Sequence, residues 1–182
     1  MKTGKILHRF TAKDGRAVVL RTPRWEDLDD LMEYINSLVE EGADIYRSRK
    51  VTREEEADWL GRRLAVLEKG EGLNVVAEVD GKVIGDSVLE RKKDYSSHVG
   101  EIGIGVMKGY RSIGIGTEML RALIAQAKTM GLKALVLKVF STNRVAYHVY
   151  EKVGFKETGR IPKFFYKNRK FVDEVIMARE IS

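Results

Sequence analysis

The feature that most constrains this chain is a change of period at a glycine-rich turn. In the run Gly100 to Met107, the apolar residues Ile102, Ile104 and Val106 alternate with small or charged ones, the pattern of a half-buried strand. Beyond Tyr110-Arg111-Ser112-Ile113-Gly114-Ile115-Gly116-Thr117, residues Met119, Leu120, Leu123, Ile124, Ala127 and Met130 recur at helical spacing, and Gly131 is placed to end that helix. Leu135 to Val139 then reads as another strand. Strand, turn, helix and strand in that order imply a right-handed crossover and a parallel pair. Glycines at such a turn let a ligand approach the backbone. Successive amide N–H groups at the turn and helix start point outward together, making an anion site suited to a pyrophosphate. Arg111 adds a charge-assisted bond.

Neither common nucleotide fingerprint is present. Gly114-Ile115-Gly116 is followed by Thr117, Glu118 and Met119, which breaks the dinucleotide pattern, and no Gly-Lys-Ser/Thr closes the loop as a phosphate-binding loop requires.

The flanking sequence supplies the other elements. Asp14-Gly15 and the β-branched stretch Ala17 to Arg21 predict a hairpin. Trp25, Leu28, Leu31, Met32, Ile35 and Leu38 predict an amphipathic helix. Thr52 with Glu55 forms a capping box ahead of a second helix carrying Trp59, Leu60, Leu64 and Leu67. The charged stretch between the two helices, Glu40 to Val51, reads as a substrate lid. Asp80-Gly81 joins strands Asn74 to Val79 and Lys82 to Leu89. Asn143 caps a short helix ending at Gly154, and strands Lys156 to Ile161 and Val172 to Arg179 flank a turn at Lys167-Asn168-Arg169-Lys170.

Composition narrows the chemistry. A length of 182 residues fits one α/β domain spanning 1–182, without repeats or a long linker. Zero cysteines exclude a thiolate nucleophile, a disulfide framework and a Cys-ligated metal. His8, His98 and His148 lack metal-motif spacing, so no metal is expected. No apolar run approaches the roughly 18 residues that cross a bilayer, and the N-terminus lacks a signal-peptide pattern, so the expectation is a cytoplasmic protein with no membrane partner. The balance of 33 basic and 27 acidic residues gives +6, but the charges are mixed and license only a general attraction to anions.

Arg111, Gly114 and Gly116 match the R/Q-x-x-G-x-G/A signature of the GCN5-related N-acetyltransferase (GNAT) superfamily, and Asn143, Ala146, Tyr150, Gly154 and Phe155 match its second block in the right order. The chain resembles that family from about Val18 to Glu180. Residues 1–16 stand as an N-terminal extension or hairpin strand. The resemblance implies a mixed, mostly antiparallel sheet of six or seven strands with about four helices. Its central parallel strands, Glu101 to Val106 and Leu135 to Val139, splay apart to admit acetyl-CoA as co-substrate. A bulge within Gly103 to Val106 would free backbone groups for the pantetheine arm.

The same resemblance implies roles for individual residues. Arg111, Ser112, Ile113, Gly114, Ile115, Gly116 and Thr117 form the pyrophosphate cradle, and Ile104, Gly105 and Val106 line the pantetheine. Asn143, Ala146, Tyr147 and Tyr150 complete the cofactor side, with Arg144 a further channel candidate; Asn143 is also readable as a helix cap alone. Tyr150 corresponds to the acid that protonates the departing thiolate. Glu101 is the candidate base that takes the amine proton, or else binds substrate; His98 is a weaker second base. Glu40, Asp86, Tyr166 and Glu90 reach toward the acceptor, and Glu41 and Asp44 of the lid suit a cationic one.

The expected activity is acetyl-CoA-dependent N-acetyl transfer, directly to a primary amine of a small molecule, amino acid or protein. The rivals are a non-catalytic acyl-CoA-binding regulatory module and a nucleic-acid-binding protein. The latter rests on Lys163, Lys167, Arg169 and Lys170 among Phe164, Phe165, Tyr166 and Phe171, without any recognised nucleic-acid motif. A homodimer is left open.

Overall fold

The structure of the chain, a computed structural model, describes residues 1–181. Strands β1 (Ile6–Thr11) and β2 (Ala17–Arg21) precede helices α1 (Leu28–Glu40) and α2 (Arg53–Lys69). Strands β3 (Gly72–Val79), β4 (Lys82–Arg91) and β5 (Val99–Val106) lead to α3 (Ile115–Thr129), β6 (Ala134–Phe140) and α4 (Arg144–Lys152), and β7 (Lys156–Lys167) and β8 (Lys170–Glu180) close the chain. All strands form one sheet in the order β1-β2-β3-β4-β5-β6-β8-β7, in which β5–β6 is the parallel pair, bridged by α3.

The sheet has eight strands, beyond the six or seven expected. Residues 1–16 supply the difference. The turn at Asp14-Gly15 lets Ile6–Thr11 pair antiparallel with β2, so this segment is an edge strand of the sheet. The terminal hairpin is also longer than its apolar pattern suggested, because pairing resumes at Phe165↔Val172 after a register shift between Ile161 and Phe165.

Strand alternation sends side chains to two separate layers. Ile102, Leu135, Leu137, Val139, Val175 and Met177 pack with Met119, Leu120, Leu123 and Ile124 of α3 and with Tyr150 and Phe155 around α4, the larger core. On the opposite face, Val76 and Val83 pack with Leu28, Leu31, Leu60 and Leu64 of α1 and α2. The start of α1 is pinned by a buried ion pair in which Arg21 donates to both carboxylate oxygens of Asp27 at 2.6 and 2.7 Å. Thr52 and Glu55 form the expected reciprocal cap of α2, at 3.2 and 3.0 Å.

The central opening arises differently from expectation. Pairing of β5 with β6 holds at Val99↔Ala134, Gly100↔Leu135 and Glu101↔Val136 and stops there. Each strand keeps its outer neighbour, β5 matching β4 as far as Val106 and β6 matching β8 as far as Phe140. The β4–β5 register is continuous from Gly85↔Val106 to Arg91↔Gly100, so no bulge lies in Gly103 to Val106. The irregularity sits one strand away, between Ala77 and Glu78 of β3 opposite β4. Divergence of the two parallel strands, rather than an extra residue, leaves the inner edge of β5 without a strand partner beyond Glu101.

Candidate active site

The gap between β5 and β6 leads to the turn after β5. Gly114 stands at the start of α3 with φ +100°, a conformation that L side chains rarely adopt, and it directs the first turn of the helix. Among the described residues, none of the main-chain N–H groups from Arg111 to Thr117 donates to a protein acceptor. Seven consecutive donors, half-buried in part and uncommitted, fit the pyrophosphate of acetyl-CoA. The turn is braced from outside. The Lys13 N–H donates to the Ile113 carbonyl at 3.0 Å, and Arg16 donates to the Gly109 carbonyl at 2.8 Å while lying 4.5 Å over the Tyr110 ring.

Arg111 donates through Nε to the Val106 carbonyl at 2.7 Å and forms an ion pair with Glu41. Ile104 and Val106 turn their side chains to the α3 core, whereas Gly105 lies against Tyr34 and Leu38 of α1. A Cβ at Gly105 would collide with the Tyr34 hydroxyl, so this glycine permits α1 to close over the strand.

On the α4 side, the Asn143 side chain accepts from the Ala146 N–H at 3.1 Å, the cap reading in full. Its amide NH2 remains uncommitted among the described residues, so the cap leaves Asn143 two donors for a ligand. Tyr147 donates to Glu157 at 3.1 Å, and Arg144 is exposed. Tyr150 is buried and its hydroxyl makes no hydrogen bond among the described residues. Burial pushes this phenol up to about 12.

Across the sheet, Glu101 stands at the last paired position of β5, in contact with Lys92. Glu101 rises from the sheet face opposite the α3 core in which the Tyr150 ring is buried. Asp86, opposite Gly105 in the β4–β5 pair, takes a short bond from Asn74. Desolvation pushes its carboxyl up to about 7, and the neighbouring Glu56 carboxylate adds to that shift.

Other sequence candidates are placed elsewhere. Glu40 is exposed and pairs with Lys50 at 2.5 Å, and Glu90 pairs with Arg63. Tyr166 is 68% exposed against Phe171, on the face opposite Phe165. His98 is exposed, and its carbonyl accepts from Lys133 at 2.8 Å to anchor the start of β6.

The loop between α1 and α2, the expected lid, carries residues that sequence reasoning missed. Tyr46 donates a short hydrogen bond to Glu174, which is fully buried in β8 opposite Phe140. Its ring packs edge-on against Phe140 and Phe165, which stack with centroids 3.7 Å apart. Negative charge at Glu174 and Glu101 adds to burial in raising the Tyr46 phenol. The one sequence signal for Glu174 is that it stands with Asp173 as a pair of charges inside the otherwise apolar run Val172 to Met177. No helix is long and apolar enough to cross a membrane, and no group of three His, Cys, Asp or Glu is placed to hold a metal among the described residues.

Comparison with known proteins agrees with this geometry. The Probable N-acetyltransferase camello of Xenopus tropicalis is 35% identical over 46% of this chain and 38% of its own length. The L-amino acid N-acetyltransferase AaaT of Escherichia coli is 31% identical over 58% of this chain and 66% of its own. The chain thus spans less than two thirds of either relative. The structure of yncA from Salmonella typhimurium, solved with its cofactor acetyl-CoA, superposes with TM-score 0.80 at 21% identity, covering 91% of this chain and 94% of that one. The Acetyltransferase (GNAT) family model matches residues 32–155, from α1 through the cofactor turn to the residue that follows α4 and its Gly154. With the splayed parallel strands and the uncommitted amide turn inside that span, the chain belongs to the GNAT acetyltransferase family.

Proposed function

We propose that this protein transfers the acetyl group of acetyl-CoA directly to a primary amine, with Glu101 as base and Tyr150 as the hydrogen-bond donor at sulfur. The observation that carries this reading is the splay itself, with a carboxylate on one face and a buried phenol on the other. The amine enters from the α1–α2 face and loses a proton to Glu101, directly or through water. Its lone pair then attacks the thioester carbonyl, the C–S bond breaks, and the thiolate leaves toward Tyr150. A main-chain N–H on the unpaired edge of β5 suits the developing oxyanion. The relative AaaT is an L-amino acid N-acetyltransferase by name, which supports a small amine or amino acid as acceptor over a nucleic-acid role.

Relative energies refine the role of Tyr150. A phenol near 12 facing a thiol near 8.5 makes complete proton transfer unfavourable by about 5 kcal/mol. Tyr150 therefore acts by hydrogen-bonding the sulfur as charge develops, and the proton finally held there originates on the attacking nitrogen.

The test follows thiol release and product mass over a panel of amines, in the native protein and two variants. Glu101→Gln is expected to lower kcat about 100-fold, and Tyr150→Phe about 10-fold, with acetyl-CoA affinity preserved in both. Acetyl-CoA binding without acetylation of any amine would favour the regulatory-module reading.

A further inference from the structure

The cations around the acceptor face are not equally committed. Arg63 is in contact with Glu90, Lys92 with Glu101, and Arg111 with Glu41, while Lys167 donates to Asp44 at 2.6 Å. Lys138 is different. Its ammonium has Glu174 at 3.8 Å, beyond hydrogen-bond reach, makes no hydrogen bond among the described residues, and stays 44% exposed.

The position of Lys138 follows from the strand register. It lies two residues after Val136, which is paired with Glu101, so Lys138 and Glu101 rise from the same face. The separation along β6 is about 7 Å, at the point where β5 has already turned away. The alternate residues Leu137 and Val139 face the α3 core. Phe140 comes next on the Lys138 face and presents its stack with Phe165.

Glu174 explains why the ammonium is held without being neutralised by close contact. One carboxylate oxygen is engaged by Tyr46; the other is buried, has no hydrogen-bond partner, and is the oxygen facing Lys138. A buried carboxylate with one unbonded oxygen is costly, and a nearby ammonium offsets part of that cost through charge alone. The lysine keeps its three N–H donors for another anion.

Building on the acetyltransferase reading, we propose that Lys138 binds the carboxylate of the acceptor and that the acceptor is an α-amino acid. Its amine is presented to Glu101, its carboxylate to Lys138, and its side chain to the Phe140 and Phe165 rings. Glu174, fixed by Tyr46 of the lid, is a positioning residue for the lysine.

The experiment compares L-phenylalanine with phenethylamine, and L-methionine with 3-(methylthio)propylamine, using acetyl-CoA and the native chain, Lys138→Met and Lys138→Arg. Native protein is expected to favour each amino acid over its decarboxylated partner by at least tenfold in kcat/KM. In Lys138→Met the amino-acid KM is expected to rise about 10- to 100-fold, the loss of a hydrogen-bonded charge pair, and the preference collapses. Lys138→Arg restores most of it, and acetyl-CoA KM stays within about twofold throughout. Native preference for the decarboxylated amines, or an equal loss on both members of each pair in Lys138→Met, overturns the inference and leaves acetyl transfer intact. Native protein that acetylates none of the four compounds, and none of a wider amine panel, overturns both.

Discussion

Asp86 shows how one residue's surroundings set its chemistry. It lies beneath α1, opposite Gly105, with Asn74 as its hydrogen-bond donor and Glu56 as a like-charged neighbour. Its ordinary value of 3.8 is raised to about 7, so the folded chain holds a proton there that the unfolded chain releases. Above pH 7 both states are ionised, and the burial penalty is fully present. Below pH 4 both are protonated, and the penalty is gone. Stability is therefore expected to fall as pH rises from about 4 to about 7, by at most about 4 kcal/mol at roughly 1.4 kcal/mol for each unit of that raised value. Asp86→Asn removes this dependence. Urea unfolding at pH 4.5 and 7.5 should show the native chain losing stability between them while the variant does not; parallel behaviour of the two proteins would assign the slope to other groups. The sequence marked Asp86 as facing the acceptor but could not give its protonation. That depends first on burial and then on groups such as Glu56, which comes from a helix distant in the chain.

At the scale of elements, the periodicities of β5, α3 and β6 were enough to place the parallel pair and the glycine turn that leads into α3. Asn143 and Gly154 bounded α4 in the same way. The mechanism of the splay was not legible, since a bulge and a divergence give the same alternation in Gly103 to Val106, and only register separates them. The Asp14-Gly15 hairpin did mark β1, but whether residues 1–16 add a strand to the sheet or extend beyond it was decided only by their pairing with β2. The turn itself carries a sharp expectation. Gly114 has open space around its Cβ position but a φ of +100°, so Gly114→Ala meets no neighbour and instead strains the backbone by about 1–2 kcal/mol. Relief of that strain rotates the peptide groups on either side, and the amide array loses its common direction. Calorimetric titration should show acetyl-CoA affinity falling about tenfold or more, with thermal unfolding changed only slightly. An unchanged affinity would mean that Arg111 and the later amides carry the pyrophosphate without this residue.

For the molecule as a whole, the lid between α1 and α2 ties together parts that no local pattern connects. Glu41 pairs with Arg111 of the cofactor turn, Asp44 accepts from Thr142 at 2.8 Å, and Tyr46 bonds Glu174. Lys167 of the terminal hairpin donates to the Gly42 and Ala43 carbonyls, both at 2.7 Å, as well as to Asp44. The acidic lid residues that suited a cationic acceptor in the sequence are thus engaged by the protein's own groups. The contacts span up to 128 positions in the chain, which is why sequence pattern alone could not supply them. On the proposed cofactor site, Glu41 and a bound pyrophosphate draw on the same Arg111 guanidinium, so filling the turn is expected to weaken one attachment of the lid. Glu41→Gln is expected to tighten acetyl-CoA binding about two- to fivefold, since the arginine no longer leaves a carboxylate to reach the phosphates. Lys167→Ala removes the opposite attachment without touching the turn. Hydrogen exchange should then accelerate across residues 42–50 while α3 keeps its protection, and acceptor KM should rise with acetyl-CoA affinity unchanged. If Lys167→Ala leaves exchange in that segment at the native rate, the ammonium is not what holds the lid, and the burden shifts to Tyr46 and its bond to Glu174.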